Sequence, residues 1–171
     1  MTTYPARPID PAVLKELRSA DDAGRGMVPV LDEEGGAPLR CCLRRSEPGE
    51  RIALVAYAPL RRWAVETGVD PGAYEEVGPV FVHAEECGGP VAGSGYPFAD
   101  AHRVLRRYSA DGRILGGELV DSLDDEAFRR AFDDQSVVLV HVRAVEYGCF
   151  FFEVRGAQRP GGCAPRPPLR P

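Results

Sequence analysis

Short runs of apolar residues, separated by turn signals, divide the chain into small elements. Five runs rich in aliphatic or aromatic side chains predict strands, and they cover residues 39–43, 51–57, 79–84, 137–142 and 150–154. The last two runs are the most apolar, so we expect them to pair at the centre of the sheet.

Turn residues indicate how the strands are connected. Pro48-Gly49 lies between the first two strands and predicts a hairpin. Ala110-Asp111-Gly112 predicts a second hairpin, which joins residues 101–108 to residues 113–120. Residues 27–38 contain several glycines and acidic residues and are expected to form a loop.

Three segments have helical patterns. Asp10-Pro11 is typical of a helix start, and the apolar residues that follow share one helical face. Residues 59–67 predict a short helix that ends at Gly68. Residues 122–134 form the clearest helix, because one apolar stripe runs along it.

These elements predict the α+β class, with a mostly antiparallel, curled sheet and a few short helices on one side. Strands that follow one another through turns lack the regular alternation with helices of a doubly wound fold. The length of 171 residues suits one domain. We expect residues 1–155 to form it, and the Pro/Gly-rich residues 156–171 to be a disordered tail.

Composition narrows the class of protein. The net charge is −5 and no cationic stripe is present, so we expect no nucleic-acid partner. No apolar run reaches the ~18 residues of a membrane span, and the N-terminus lacks an export signal. Five cysteines, an odd number, argue against a disulfide framework. Together these features predict a cytoplasmic protein with reduced thiols.

Three parts of the chain carry a family resemblance. They are residues 40–43 (RCCL) with 47–50 (EPGE), residues 78–84 (GPVFVHA) with Cys87, and residues 141–150 (HVRAVEYGCF). The chain resembles the bacterial domain-of-unknown-function 1203 family in these parts. The resemblance implies a stand-alone bacterial domain and implies no substrate.

Strand alternation predicts which faces of their strands two histidines occupy. In residues 137–143, His141 and Arg143 share the face opposite the valines, and in residues 79–84 His83 shares a face with Phe81. Both histidines lie near strand ends, where sites are common. We therefore predict that His83, His141 and Arg143 line one hollow.

Other polar and thiol side chains near these strand ends complete the predicted site. The predicted catalytic residues are His83, His141, Cys87 and Cys149. The predicted ligand-binding residues are Arg143, Tyr147, Glu146 and Arg40. No cofactor and no metal site are assigned.

These residue types are compatible with three chemistries. His83, Cys87, His141 and Cys149 are zinc-ligand types, but Cys-x₂-Cys spacing is absent, and adjacent Cys41 and Cys42 on a strand would point in opposite directions. A nucleophilic Cys87 or Cys149, with a histidine and Glu146 as orienting group, competes with cysteine as a small buried hydrophobe. Anion binding or acid–base chemistry by Arg143 and the histidines competes with a silent Arg143–Glu146 ion pair.

The sequence leaves two functional classes open. The first is a small enzyme or small-molecule binding protein, which would use a His/Arg/Cys pocket for acid–base chemistry on a ligand that could be anionic. The second is a non-catalytic interaction module or homodimeric accessory protein. A pocket that holds both histidines and Arg143 would favour the first class.

Overall fold

A computed structural model describes residues 3–93 and 95–156 and contains three helices and nine strands. In chain order they are α1 (Pro11–Ser19), β1 (Pro29–Asp32), β2 (Pro38–Leu39), β3 (Arg44–Arg45), β4 (Glu50–Tyr57), α2 (Pro59–Thr67), β5 (Gly78–His83), β6 (Arg103–Ser109), β7 (Ile114–Val120), α3 (Asp125–Ala131), β8 (Val137–Arg143) and β9 (Phe150–Arg155). The predicted α+β class is confirmed. Within the described residues, no helix is both long and apolar enough to cross a membrane.

The strands form two sheets. The first has the order β1-β4-β5-β2-β3 and is antiparallel except where β2 runs parallel to β5, with Leu39 opposite Phe81. The second has the order β7-β6-β8-β9 and is antiparallel throughout. The β2–β5 pairing matters most for the site, because it places the chain after Leu39 beside the end of β5.

Apolar side chains cover both faces of the second sheet. Ala127 and Phe128 of α3 pack with Val140 on one face, whereas Trp63 of α2 packs with Leu139 on the other. Adjacent residues of a strand point to opposite faces, so β8 is buried on both sides. The helices are therefore divided between faces and are not gathered on one side of a single sheet.

Helix ends follow the sequence signals closely. The side chain of Asp10 accepts a hydrogen bond of 2.8 Å from the backbone N–H of Ala12 at the start of α1. Gly68 ends α2 in the left-handed conformation, with φ 72°. The α3 helix is shorter than predicted, because Asp124 caps it and the helix ends before Phe132.

Strand pairing departs from the sequence prediction in three places. Residues 29–32 form the edge strand β1 and not part of a loop, since they pair with β4. The predicted hairpin between 39–43 and 51–57 is wrong: β2 pairs with β3 and β5. The final strand, β9, lies at the edge of its sheet and not at its centre. The part of the predicted tail beyond residue 156 lies outside the described residues, so the disordered tail stays a prediction.

Candidate functional site

The two adjacent cysteines lie in a turn that follows β2. The backbone N–H of Leu43 donates to the carbonyl of Leu39 at 2.9 Å, and Leu43 has φ 56°. In such a turn, successive side chains do not alternate between faces as they do in a strand. The Sγ atoms of Cys41 and Cys42 therefore lie on the same side, 4.0 Å apart. The predicted strand over 39–43, with its opposed cysteines, is wrong for this reason.

The end of β5 brings an imidazole to these thiols. His83 is the last residue of β5, and its Nδ1 atom lies 3.3 Å from the Sγ of Cys41 and 3.7 Å from that of Cys42. The backbone N–H of His83 also donates to the Sγ of Cys41 at 3.2 Å. Cys87 follows four residues later, and one ligand atom from each of Cys41, Cys42, His83 and Cys87 lies within 4.8 Å of all the others. We call these four residues the Cys/His cluster.

The other imidazole nitrogen of His83 faces charged side chains. Its Nε2 atom lies 3.3 Å from a carboxylate oxygen of Glu50 and 3.3 Å from a guanidinium nitrogen of Arg44. Arg44 holds the Glu50 carboxylate with two hydrogen bonds, of 2.6 and 2.9 Å, and these lower the pKa of Glu50 to about 2. Engaging Nε2 in this way directs Nδ1 toward the sulfur atoms, as carboxylates do behind metal-bound histidines.

The thiols of the cluster have unequal acidities. The thiol of Cys41 hydrogen-bonds to the sulfur of Cys42 and lowers the pKa of Cys42 to about 6, although burial opposes this effect. The backbone and the positive charge of Arg44 add to the lowering. The same hydrogen bond, together with burial, raises the pKa of Cys41. Cys42 is therefore the more acidic thiol of the pair.

A second group of predicted residues surrounds Arg143 at the end of β8. A cleft of about 300 Å³ is lined by Arg143, Tyr147 and Cys149, together with Glu76 and Arg106. We call it the arginine cleft. Arg143 donates a hydrogen bond of 3.0 Å to the carbonyl of Gly148, and its Nη2 lies 3.6 Å from Glu76. The sequence-predicted Arg143, Tyr147 and Cys149 thus do lie together.

His141 contributes to neither group. It is completely buried, with its ring 4.7 Å from that of Tyr108 and 5.1 Å from that of Phe150. Neither ring nitrogen has a hydrogen-bond partner in the part of the chain that the structure describes. Burial holds the pKa of His141 well below its usual value, and nearby positive charges, first that of Arg143, act in the same direction.

The predicted common hollow of two imidazoles and a guanidinium is therefore wrong. His83 ends a strand of the first sheet, and His141 lies inside a strand of the second. Strand alternation correctly predicts that His141 lies on the face opposite Val140 and Val142. That face of β8 is also buried under other side chains. Because β8 is buried on both faces, pointing away from the valines does not lead to solvent.

Two other predicted ligand-binding residues have different partners. Arg40 is buried; it donates to the carbonyl of Phe150 at 2.7 Å, and its guanidinium lies 4.8 Å from the ring centre of Phe151. Glu146 is exposed and lies 2.6 Å from His102. The alternative of an Arg143–Glu146 ion pair is thus wrong, and Arg40 ties β9 to the turn after β2.

Sequence reasoning missed several residues of both groups. Cys41 and Cys42 are an adjacent pair in the sequence, but the strand predicted there would point their side chains apart. Glu50 lies in a segment that carries the family resemblance, but no local pattern places it behind His83, and Glu76 and Arg106 have no distinguishing pattern. Their positions follow from contacts between distant segments, which single-sequence periodicity does not report.

Comparison with known proteins bears on the family alone. No curated protein and no solved structure matches the chain. One family model, described as a protein of unknown function (DUF1203), matches residues 36–156, which span both the Cys/His cluster and the arginine cleft. The match covers more than half of the 171 residues and all three segments that carried the resemblance. The chain therefore belongs to the DUF1203 family.

Proposed function

We propose that this domain binds one zinc ion, or a similar thiolate-preferring metal ion, through Cys41, Cys42, His83 and Cys87. The observation that carries the proposal is that four ligand atoms of the right chemistry, from separate parts of the chain, lie within 4.8 Å of one another. Thiolate and imidazole are the usual ligands of zinc, and a Cys₃His set is one of its structural forms.

The distances suit a tetrahedral ion. Zinc bonds of about 2.0–2.3 Å hold neighbouring ligand atoms roughly 3.3–3.8 Å apart. The His83 nitrogen lies 3.3 and 3.7 Å from the two adjacent sulfurs, which are 4.0 Å from each other. A contraction of a few tenths of an ångström would complete the coordination of these three atoms.

The charges also suit a metal. Cys42 is the more acidic of the two adjacent thiols, and a bound cation would take the place of the thiol protons. Soft thiolate ligands prefer zinc or copper(I) to magnesium or calcium. Glu50 lies behind His83, in the position from which a carboxylate orients a ligating imidazole.

Four protein ligands leave no open coordination position, which is typical of a structural metal. The ion would tie the loop carrying Cys87 to the turn after β2 and to the end of β5. Such a role is compatible with the accessory-module alternative. Acid–base chemistry by two histidines has no part in the proposal, since His141 is buried away from the cluster.

Metal analysis of the purified, untagged, reduced protein tests the proposal. We expect about one zinc per chain, and cobalt(II) substitution should give the thiolate charge-transfer and tetrahedral ligand-field bands. Cys42→Ser and Cys87→Ser should lose the metal, whereas Cys149→Ser, which alters a cysteine outside the cluster, should retain it. Absence of metal binding after refolding with zinc, or equal losses in all three variants, would refute the proposal.

As a second function, we propose that the domain binds a small molecule in the arginine cleft. The supporting observation is that Arg143, Tyr147 and Cys149, three residues predicted from the sequence, line one cavity with a second arginine, Arg106. Concave sites with apolar walls and a few polar groups are the usual form of ligand pockets. This proposal is independent of the metal.

A further inference from the structure

We infer that the ligand of the arginine cleft is a small organic carboxylate with one negative charge and an apolar body. The inference rests on the second proposed function, small-molecule binding in this cleft, and names the class of ligand. Four properties of the cleft support it: its net charge, the way in which it already holds a carboxylate, the donor capacity of Arg143, and its apolar wall.

The charges lining the cleft favour a monoanion. Arg106 and Arg143 are positive and Glu76 is negative, so the lining carries a net charge of one positive. The side chains of Arg143 and Glu76 are about nine-tenths buried, and that of Arg106 is one-third exposed. Charges that are buried to this extent need near-complete compensation. One carboxylate supplies it, whereas a doubly charged phosphate would leave an excess negative charge.

The cleft already recognises a carboxylate of its own chain. Arg106 and the hydroxyl of Tyr108 both donate hydrogen bonds to Glu76, and Arg143 lies 3.6 Å from it. Glu76 has φ 45°, in the left-handed region that costs a non-glycine residue free energy. The backbone is thus held in an unfavourable conformation while this carboxylate sits between the arginines.

Arg143 retains donor capacity for a second carboxylate. Only Nη1 makes a hydrogen bond; Nε and Nη2 have no hydrogen-bond partner among the described residues. These two atoms form one edge of the guanidinium, the edge that matches the two oxygens of a carboxylate. A buried donor without a partner destabilises the folded chain, so a ligand that pairs with it gains affinity. Because both atoms are buried, the cleft wall must move for a ligand to reach them.

The rest of the wall sets the size and polarity of the ligand. Pro59, Val77, Pro79 and Phe150 present apolar surface to the cleft. Its volume of about 300 Å³ lies at the small end of the range for ligand cavities. A short branched or aromatic carboxylate fits these limits, and a nucleotide or peptide does not.

Titration of the full-length, isotope-labelled protein with benzoate, followed by amide chemical shifts, tests the inference. We expect benzoate to shift the amides of Gly78, Gly148 and Cys149, and the neutral benzamide to leave them unchanged. Arg106→Gln should weaken benzoate binding about tenfold, because the lining of the cleft then carries no net positive charge. Arg51→Gln, which removes an exposed arginine paired with Glu85 outside the cleft, should bind as the wild type does.

The outcomes separate the ligand class from the function. If inorganic phosphate or benzamide shifts these amides and benzoate does not, the carboxylate inference is overturned and small-molecule binding stands. If none of the three probes shifts them, both fail. Equal benzoate affinity in Arg106→Gln and Arg51→Gln would also overturn the inference, because binding would not depend on the net charge of the cleft.

Discussion

The Nδ1 atom of His83 lies 3.3 Å from the Sγ atom of Cys41, although 42 positions separate the two residues in the chain. The parallel pairing of Leu39 with Phe81 produces this proximity, since it sets the end of β5 beside the turn after β2. Arg40 strengthens the junction, because its backbone N–H donates to the carbonyl of Phe81 at 2.9 Å. The cluster is thus built where the two pieces of chain meet, and its properties can be tested residue by residue.

The acidity of Cys42 leads to the first prediction. In reduced, metal-free protein, alkylation of Cys42 by iodoacetamide should rise with pH around a midpoint near 6, because the thiol of Cys41 stabilises the Cys42 thiolate. Cys41→Ala removes this hydrogen bond and should move the midpoint upward. Peptide mapping by mass spectrometry measures both. An unshifted midpoint in Cys41→Ala would contradict the proposed hydrogen bond.

The burial of His141 predicts a pH dependence of stability. Its folded-state pKa lies well below its ordinary value near 6.5, so the unfolded chain takes up a proton that the folded chain excludes. Stability from this residue is therefore complete above about pH 6.5 and falls as the pH drops. The slope approaches about 1.4 kcal/mol per pH unit.

Urea unfolding between pH 7.5 and 5 measures this slope. His141→Phe places an uncharged ring between Tyr108 and Phe150 and should lose less stability than the wild type over the interval. His102→Gln, which alters an exposed histidine, should follow the wild type. Parallel pH profiles for His141→Phe and the wild type would show that the imidazole is not excluded from protonation.

Arg40 should matter for stability. Its guanidinium is buried, donates to the carbonyls of Phe150 and Pro38, and lies over the ring of Phe151. Arg40→Met should cost about 2–4 kcal/mol, because it leaves carbonyl groups without a charged donor and removes a cation–π contact.

Denaturant unfolding checks the value against Arg129→Met, which removes an exposed arginine paired with Glu126 and should cost less than about 1 kcal/mol. A direct ligand-binding role for Arg40, as the sequence suggested, would instead leave the two variants equally stable.

Local signals accounted for the elements and for part of each site. Asp10, Gly68 and the aliphatic strands located helix ends and strands correctly, because capping and burial patterns act within a few residues. His83 ends β5 and Cys87 follows it closely, and Arg143, Tyr147 and Cys149 lie on or beside the connection from β8 to β9. Each of these sets is close in sequence, and each stays together in the structure.

Contacts between distant segments decide the side-chain orientations that local signals do not predict. Whether Cys41 and Cys42 point together or apart depends on where β2 ends. In the structure β2 has only two residues, lies between β3 and β5 in the sheet, and is followed at once by the turn. Whether His141 faces solvent depends on what covers the second face of its sheet, and alternation along β8 does not encode that.

By itself, the sequence determined the α+β class, the family and the segments that carry the chemistry, since these depend on local pattern. Only the tertiary structure decided that there are two sheets, that the thiols and His83 converge, and that His141 is enclosed. The physical reason is that a strand's own residues specify its two faces, whereas its neighbours specify what each face meets.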